Sequence, residues 1–189
     1  AIGGSYEFDG SNDYIQASNI AGLNGASELT YEAWIKFDTL STLRGIFSQF
    51  TSTVCDVDLL MDFNSPYDEL IFAVRNGGET YGRTNYNLSA GNWYHVVGVY
   101  DGTQSGNANR MKIYINGVNQ SLIFTGTIPA STCVSNTGDF RIGRYFDGSN
   151  DAYFDGNIDE VLIYNRVLST SEINQLYWAG VANGHTMNS

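Results

Sequence analysis

The sequence is short of basic residues and of proline, and it lacks any long apolar run. Nine Lys and Arg stand against 20 Asp and Glu, which gives a net charge of -11 over 189 residues. Because a surface this acidic repels phosphate backbones, we expect no nucleic-acid binding. No stretch reaches the roughly 18 consecutive apolar residues of a transmembrane helix, so we expect no membrane insertion either.

Cysteine is also scarce, since the chain contains only Cys55 and Cys133. Two cysteines fit one disulfide in an oxidising compartment, which predicts a secreted or cell-surface protein. The alternative is a pair of buried free thiols, which behave as small apolar side chains. The first residues, Ala-Ile-Gly, fit either a processed mature chain or an excised domain.

Residues typical of strands and turns are abundant: 13 Tyr, 10 Phe and 3 Trp accompany 21 Gly. Strand-like segments recur between turns rich in Gly, Asn and Asp, and Asn116-Gly117 is a strong hairpin signal. In residues 29–37 apolar and polar positions alternate, as in a strand with one buried face. The predicted strands are residues 6–8, 14–17, 29–37, 46–50, 57–63, 70–75, 93–100, 111–115, 118–124, 140–144 and 158–164.

One helix is predicted after the last of these strands. Residues 169–172, Ser-Thr-Ser-Glu, match a capping box with Ser169 as the N-cap, and Ile173, Leu176 and Tyr177 follow at helical spacing. Beyond residue 178 the sequence turns small and polar. We therefore expect one domain over residues 1–178 and a polar tail or linker over residues 179–189. The predicted fold is all-β: an antiparallel two-sheet jelly-roll sandwich with one short C-terminal helix.

Three segments resemble a known family when they are taken together. They are Tyr-Glu-Phe-Asp-Gly-Ser-Asn-Asp-Tyr-Ile at 6–15, Asn-Trp-Tyr-His-Val-Val-Gly-Val-Tyr-Asp-Gly at 92–102, and the stretch from Phe-Asp-Gly-Asn-Ile-Asp-Glu to Leu-Ser at 154–169. Their order and residue sequences resemble those of the laminin-G-like, concanavalin-A-like jelly-roll domains of secreted microbial proteins. The resemblance implies the fold over nearly the whole chain. It leaves the function open, because such domains bind sugars, proteins or other surfaces, or act as spacers.

The resemblance also implies a Ca²⁺ site where the first loop meets the last long strand. The residues that it points to are Asp9 and Asn12 of the loop and Asp159 of the strand. Carboxylates, amide oxygens and the carbonyls of a bent backbone are the ligands that Ca²⁺ prefers. The alternative is that Asp9 and Asn12 only cap the turn through local hydrogen bonds.

The hexapeptide Phe-Asp-Gly-Ser-Asn-Asp occurs twice, at residues 8–13 and 146–151. In the second copy, Asp147, Asn150 and Asp151 offer polar groups, and Tyr145 and Tyr153 flank them. Aromatic faces stack on sugar rings and planar polar groups bind hydroxyl pairs, so this loop is a candidate ligand site. A second Ca²⁺ or an ordinary solvated turn is the alternative.

Other aromatic and basic residues receive two competing interpretations. Tyr81, Tyr86, Arg83 and Arg144 lie in or beside predicted loops and could contact a sugar, but tyrosines in this fold also form cross-strand packing pairs. Trp34 and Trp93 fall inside strand patterns and are predicted to be core residues. Trp178 ends the apolar stripe of the helix and is predicted to cover the end of the sandwich.

A catalytic site is not predicted. His95 lies inside a strand, where a core role is expected, His185 lies in the predicted tail, and neither stands beside a nucleophile motif. Sandwich glucanases carry Glu-x-Asp-x-Glu on one strand, but the nearest segment here has Asn157 and Val161 at the two glutamate positions.

Taken together, these observations predict a non-catalytic, calcium-binding recognition module of a larger secreted or surface protein. Its expected partner is a glycan or another cell-surface ligand. The alternative function is a structural or adhesive domain that contacts a protein partner or further copies of itself.

Overall fold

In a computed structural model, residues 4–40, 43–52, 55–62 and 69–185 are described. Their strands are β1 (Tyr6–Asp9), β2 (Ile15–Ala17), β3 (Glu28–Phe37), β4 (Arg44–Ser52), β5 (Cys55–Asp62), β6 (Glu69–Asn76), β7 (Tyr81–Thr84), β8 (Trp93–Asp101), β9 (Met111–Ile115), β10 (Val118–Asn119), β11 (Leu122–Thr125), β12 (Phe140–Ile142), β13 (Arg144–Phe146), β14 (Asp151–Tyr153) and β15 (Asp155–Tyr164). A 3₁₀ turn (Ala21–Leu23) and two helices, α1 (Asn107–Arg110) and α2 (Thr170–Ala182), complete the described elements.

The strands form two large antiparallel sheets and one small hairpin. The first sheet has the order β1-β15-β3-β8-β9-β10, the second has the order β11-β7-β6-β5-β4-β12-β2, and β13 pairs with β14 alone. Together with the single long helix near the end of the described chain, this arrangement confirms the predicted two-sheet jelly roll.

The main core lies between the two sheets. The apolar positions predicted from the alternation in residues 29–37 are all fully buried. At their centre, the Tyr31 ring contacts Phe47 and Phe72 of the second sheet, with centroids 5.8 and 6.0 Å apart. The two-residue period of the sequence therefore identifies the inner face of β3 correctly.

Helix α2 covers the outer face of the first sheet. Its capping box forms as predicted: the Ser169 hydroxyl accepts the Glu172 amide hydrogen, and the Glu172 carboxylate accepts the Ser169 amide hydrogen. Ile173 packs on Val97 in a second apolar cluster. Trp34 is buried beneath the helix with its ring stacked on Tyr177 at 5.7 Å, which confirms its predicted core position.

The end of the helix differs from the prediction. The helix continues to Ala182, and His185 is buried with its ring stacked on Trp34 at 4.8 Å. Helix α2 therefore extends past residue 178, and Gly180 and His185 are buried against the sandwich while the residues around them are largely exposed. Trp178 is 63% exposed, so the prediction that it covers the sandwich end is wrong. It follows Tyr177, which faces the sheet. Because successive helical residues point about 100° apart, the Trp178 side chain is turned away from the sheet.

Several strand boundaries also differ. The predicted strand 118–124 is two strands in different sheets, β10 and β11, and the predicted strand 140–144 ends at Ile142 before the separate β13. Strands β7 and β14 were not predicted. Residue 63, the predicted end of the strand 57–63, lies outside the described residues.

A disulfide joins Cys55 at the start of β5 to Cys133, 78 residues later, as the prediction of a bridge required. It ties the second sheet to the segment that leads into β12. Among the described residues, no helix has the length and apolar character needed to cross a membrane.

Candidate functional site

The first copy of the repeated hexapeptide folds as a tight turn after β1. The Asp9 carboxylate accepts hydrogen bonds from the amides of Ser11 (2.8 Å) and Asn12 (3.2 Å), and Gly10 between them has φ 74°. These amides hold the pKa of Asp9 below its ordinary value. Aspartate before a glycine with positive φ favours this turn, because its side chain replaces a backbone acceptor.

The second copy adopts the same turn between β13 and β14. The Asp147 carboxylate accepts the amides of Ser149 (2.9 Å) and Asn150 (2.6 Å), and Gly148 has φ 87°. The identical sequence thus forms a similar aspartate-capped turn at two separate places in the fold.

Both turns line one cleft of about 290 Å³. Gly10 of the first turn faces Asn150 and Asp151 of the second, with Leu43, Arg44, Ala152 and Tyr153 completing the wall. Arg44 is mostly buried, and its guanidinium donates to the Tyr153 carbonyl (2.9 Å) and to the Asp155 carboxylate (3.3 Å). This arginine therefore fixes the hairpin to β15 beneath the cleft.

A glycine lets the hairpin lie directly across β4. A Cβ atom at Gly45 would stand 2.0 Å from the Tyr145 nitrogen, which is far inside any real contact. Ser48 then adds a hydrogen bond from its hydroxyl to the Arg144 carbonyl at 2.8 Å. The hairpin, and with it half of the cleft, is held at a defined height above the second sheet.

Beside the cleft, Arg144 organises a group of aromatic rings. Its guanidinium lies 4.7 Å from the Tyr14 ring and 5.2 Å from the Tyr153 ring, and these two rings are 6.2 Å apart. Asp151 fixes the guanidinium with two hydrogen bonds of 2.7 and 2.8 Å. The same bonds lower the pKa of Asp151, so it stays ionised. We call Tyr14 and Tyr153 the aromatic platform.

The structure separates the residues predicted for this loop into two groups. Asn150, Asp151 and Tyr153 line the cleft. Tyr145 points the other way: only 7% of it is exposed, and it packs with Ile71. Its hydroxyl donates to Asp147, whose carboxylate is already used by the turn. Burial raises the pKa of the Tyr145 hydroxyl above its ordinary range.

Tyr14 beside the cleft and Arg44 in its wall were missed from the sequence. Tyr14 directly follows the first hexapeptide and Tyr153 comes two residues after the second, and this near-parallel was the available signal. Arg44 had no comparable signal, because it reaches the cleft only through the pairing of strands.

The other predicted sugar contacts lie elsewhere. Arg83 pairs with Glu69 (3.0 Å), Tyr81 packs under the hairpin, and the Tyr86 ring meets Tyr94 edge-on at 6.5 Å within the core. Trp93 is only half-buried, with its ring 4.5 Å from His185.

The predicted calcium ligands do not come together. Asp9 is opposite Asp155 in the β1–β15 pairing, so Asp159 lies four residues farther along the strand, or about 13 Å away at ~3.3 Å per residue. The Asp159 carboxylate instead pairs with His185 Nε2 at 3.1 Å. In the part of the chain that the structure describes, no three His, Cys, Asp or Glu side chains form a metal-binding group. Asp9, Asn12 and Asp159 as a set therefore do not fit one ion.

Of the two histidines, His95 occupies the core position that was predicted. It is fully buried, and its Nε2 lies 3.0 Å from the carboxylate of Glu32, which is also buried.

An antiparallel two-sheet sandwich with a loop-lined cleft beside one sheet edge defines the class of lectin-like jelly-roll domains. The chain belongs to the laminin-G-like family described as the concanavalin A-like lectin/glucanases superfamily, whose profile matches residues 9–174. This membership confirms the resemblance seen in the sequence. No curated protein sequence matches the chain.

Solved structures with the same fold share little sequence with this chain. Domain 4 of AbnA, a GH43 extracellular arabinanase from Geobacillus stearothermophilus in complex with arabinotriose, is 20% identical (TM-score 0.65, 90% of this chain and 86% of that one). The CBM40 of Ruminococcus gnavus IT-sialidase bound to α2,3 sialyllactose is 13% identical (0.67, 92% and 97%). NanB sialidase from Streptococcus pneumoniae is 18% identical, and the match covers 91% of this chain but 27% of that one (0.68). At these identities the likeness establishes the fold.

Proposed function

We propose that this protein is a non-catalytic carbohydrate-binding module of a larger secreted or cell-surface protein. The observation that carries the proposal is the cleft between the two identical turns, with the aromatic platform at its side. The disulfide supports an oxidising compartment.

The chemistry of the cleft suits a sugar. Tyr14 and Tyr153 offer ring faces for the apolar side of a pyranose, and Tyr14 is 39% exposed. Asn150 and Asp151 line the cleft, and although Arg144 holds the Asp151 carboxylate, its oxygens and the Asn150 amide can still accept sugar hydroxyls. Two structural neighbours of similar size carry an oligosaccharide, arabinotriose in one and sialyllactose in the other, which supports the same role here.

Tyr153→Ala is expected to weaken glycan binding about tenfold, because losing a stacking ring costs on the order of 1–2 kcal/mol. The melting temperature should change little, since the ring lies at the surface. A glycan array identifies the ligand, and calorimetric titration of the wild type and the variant measures the loss.

Tyr145→Ala is the matched control from the same hairpin. Its ring is buried, so the variant should lose roughly 3 kcal/mol or more of stability. A Tyr153→Ala variant that binds the array ligand as tightly as the wild type would contradict the proposed site.

The adhesive alternative has one observation in its favour. Strand β1 is an edge of the first sheet, Tyr6 on it is 66% exposed, and an apolar groove of about 180 Å³ runs beside it between Ile15 and Ile158. Exposed edges accept strands from other chains. A blank glycan array together with concentration-dependent self-association would favour this function.

Calcium binding stays a prediction, and we propose that any ion binds at the first loop alone. Stabilisation by millimolar Ca²⁺, measured as a shift in melting temperature against EDTA, is expected to be lost in Asp9→Ala. It should persist in Asp159→Ala, because Asp159 lies on another part of the strand and pairs with His185. Loss of the stabilisation in both variants would support the site as it was first predicted.

A further inference from the structure

Three arginines supply the positive charge at the cleft. All nine Lys and Arg of the chain lie within the described residues. Arg44 lines the cleft, and the Arg144 guanidinium lies 5.2 Å from the ring of Tyr153 in its wall. Arg141 lies farther back, with its guanidinium 6.0 Å from the Phe146 ring. These three guanidinium groups are therefore the cations that an anionic ligand would meet there.

Two of the three guanidinium groups are already occupied. Arg144 binds the Asp151 carboxylate through Nε at 2.7 Å and Nη2 at 2.8 Å. This is the bidentate geometry that a ligand carboxylate would need. Arg44 donates to the Tyr153 carbonyl at 2.9 Å and to the Asp155 carboxylate at 3.3 Å, and its Nε is enclosed. Neither arginine offers a free fork of donors to a ligand.

The third guanidinium is shielded in another way. The Nε and Nη1 atoms of Arg141 are enclosed, so a ligand does not reach them. Its charge acts on a carboxylate of the protein itself: hydrogen bonds from Arg144 lower the pKa of Asp151 most, and the charge of Arg141 lowers it further. Each of the three arginines thus interacts with an aspartate of the protein before any ligand binds.

Aspartates outnumber these arginines. Five lie on the two turns and on the strands that frame the cleft: Asp9, Asp13, Asp147, Asp151 and Asp155. Turn amides hold the pKa of Asp9 below its ordinary value, and hydrogen bonds from Asn150 do the same for Asp147, although burial opposes them. Neither of these two belongs to an ion pair among the described residues. The charge around the cleft is therefore negative on balance.

We propose that the cleft selects uncharged sugars over acidic ones, and that Asp151 sets this preference. The inference rests on the proposed function and adds the substrate class. Sugar hydroxyls can donate to ionised carboxylates, which makes strong hydrogen bonds. The carboxylate of an acidic sugar is instead repelled by them and finds the guanidinium groups occupied. Repulsion of this kind discriminates between ligands without an added contact to the favoured one.

Asp151 decides the preference because it both lines the cleft and holds Arg144. Without the charge of Asp151, the guanidinium beside Tyr14 and Tyr153 could bind the carboxylate of a sugar stacked on the aromatic platform. Asp151→Asn makes this change with nearly the same side-chain shape and keeps a planar polar group at the cleft.

The test compares sugars that differ in a carboxylate. The probes are cellotriose, galactotriose and mannotriose, each with the matching tri-uronic acid, and the methyl ester of α2,3-sialyllactose with its free acid. Any further neutral ligand from a glycan array is compared with its own C6-oxidised form. We expect the wild type to bind a neutral member about tenfold or more tightly than its acidic partner in calorimetric titration. In Asp151→Asn the two should bind about equally, or the acid more tightly.

Glu172→Gln is the matched control variant. It removes the carboxylate that pairs with Arg166, a residue that does not line the cleft, and glutamine also suits the capping box of α2. This variant should keep the preference of the wild type. Melting temperatures close to that of the wild type show that both variants are folded.

Salt gives a second measurement that needs the wild type alone. Raising the ionic strength from about 0.01 M to about 1 M shortens the screening length from about 30 Å to about 3 Å. Because the proposed discrimination is repulsion between charges, the gap between neutral and acidic members should narrow. A gap that salt leaves unchanged would mean that the acidic sugars are excluded by shape, and the inference would be wrong.

Failure of this inference can be distinguished from failure of the proposed function. If sugars bind in a Tyr153-dependent way and the acids bind as tightly as their neutral partners, the selectivity is wrong and the module remains. If the neutral preference survives in Asp151→Asn, that residue does not set it and the inference is likewise wrong. If no sugar of either kind binds, both proposals fall.

Discussion

Replacing both half-cystines, in a Cys55→Ser/Cys133→Ser double variant, is expected to lower the free energy of unfolding by about 4.5 kcal/mol. The bridge spans 78 residues, and a cross-link over a loop of that length removes much of the conformational entropy of the unfolded chain. For a domain of this size, the loss corresponds to a drop in melting temperature of roughly 10–18 °C. Urea unfolding of the oxidised protein and the double variant measures it.

The location of the bridge adds a second expectation. Cys133 belongs to the segment before β12, and Cys55 begins β5, so the bridge fixes strands of the same sheet on which the hairpin rests. The double variant should therefore lose stability without losing the folded sandwich at low temperature. A loss below about 1 kcal/mol would show that the loop is already closed in the unfolded ensemble.

The fold could be predicted because its determinants are local or periodic. The alternation in residues 29–37 identified the inner face of β3, and the Ser169–Glu172 capping box located the start of α2. The outer face of β3 was harder. Thr30 and Glu32 follow the polar side of the alternation, but both are buried. Thr30 bonds with the backbone of the segment just before α2, and Glu32 pairs with the buried His95. Trp34 on the same face was the one sign in the sequence that this face is covered, and it is buried under α2.

The arrangement of the candidate site depends on strand register, which a single sequence does not reveal, and so it could not be predicted. In the hairpin, Arg144 is opposite Tyr153, and Tyr145 is opposite Ala152. Successive pairs face opposite sides, so Tyr153 joins Arg144 at the cleft while Tyr145 turns into the interior. Likewise, the pairing of Asp9 with Asp155 separates it from Asp159. The sequence placed these residues in one loop, but their faces could be assigned only from the structure.

A group of buried charges under the hairpin is expected to give the second large change in stability when it is mutated. Asp56 and Asp58 lie on the same face of β5, both fully buried, and both bind one nitrogen of Arg75 at 2.6 and 3.2 Å. Burial raises the pKa of Asp58 well above its ordinary value, and the neighbouring Asp56 raises it further. Burial also raises the pKa of Asp56, although Arg75 opposes the rise.

Arg75→Met is therefore expected to lower the free energy of unfolding by about 3–5 kcal/mol at pH 7, because two buried carboxylates lose the one cation that pairs with them among the described residues. An acid whose pKa is higher in the folded than in the unfolded state contributes stability that is fully present below its unfolded pKa and is lost as the pH rises through the folded value. Without Arg75 both folded pKa values rise further, so the penalty should shrink as the pH falls from 7 towards 4 and the carboxylates bind protons.

Urea unfolding of the wild type and the variant at several pH values measures this difference. Arg166→Met is the matched control, since its pair with Glu172 is exposed to solvent and should contribute little to stability. Adding Asp58→Asn to Arg75→Met should recover stability at pH 7, because an uncharged amide replaces one unpaired carboxylate. A penalty that is the same at pH 7 and pH 4 would mean that Arg75 stabilises the sheet through packing, and that the buried pair is already protonated at neutral pH.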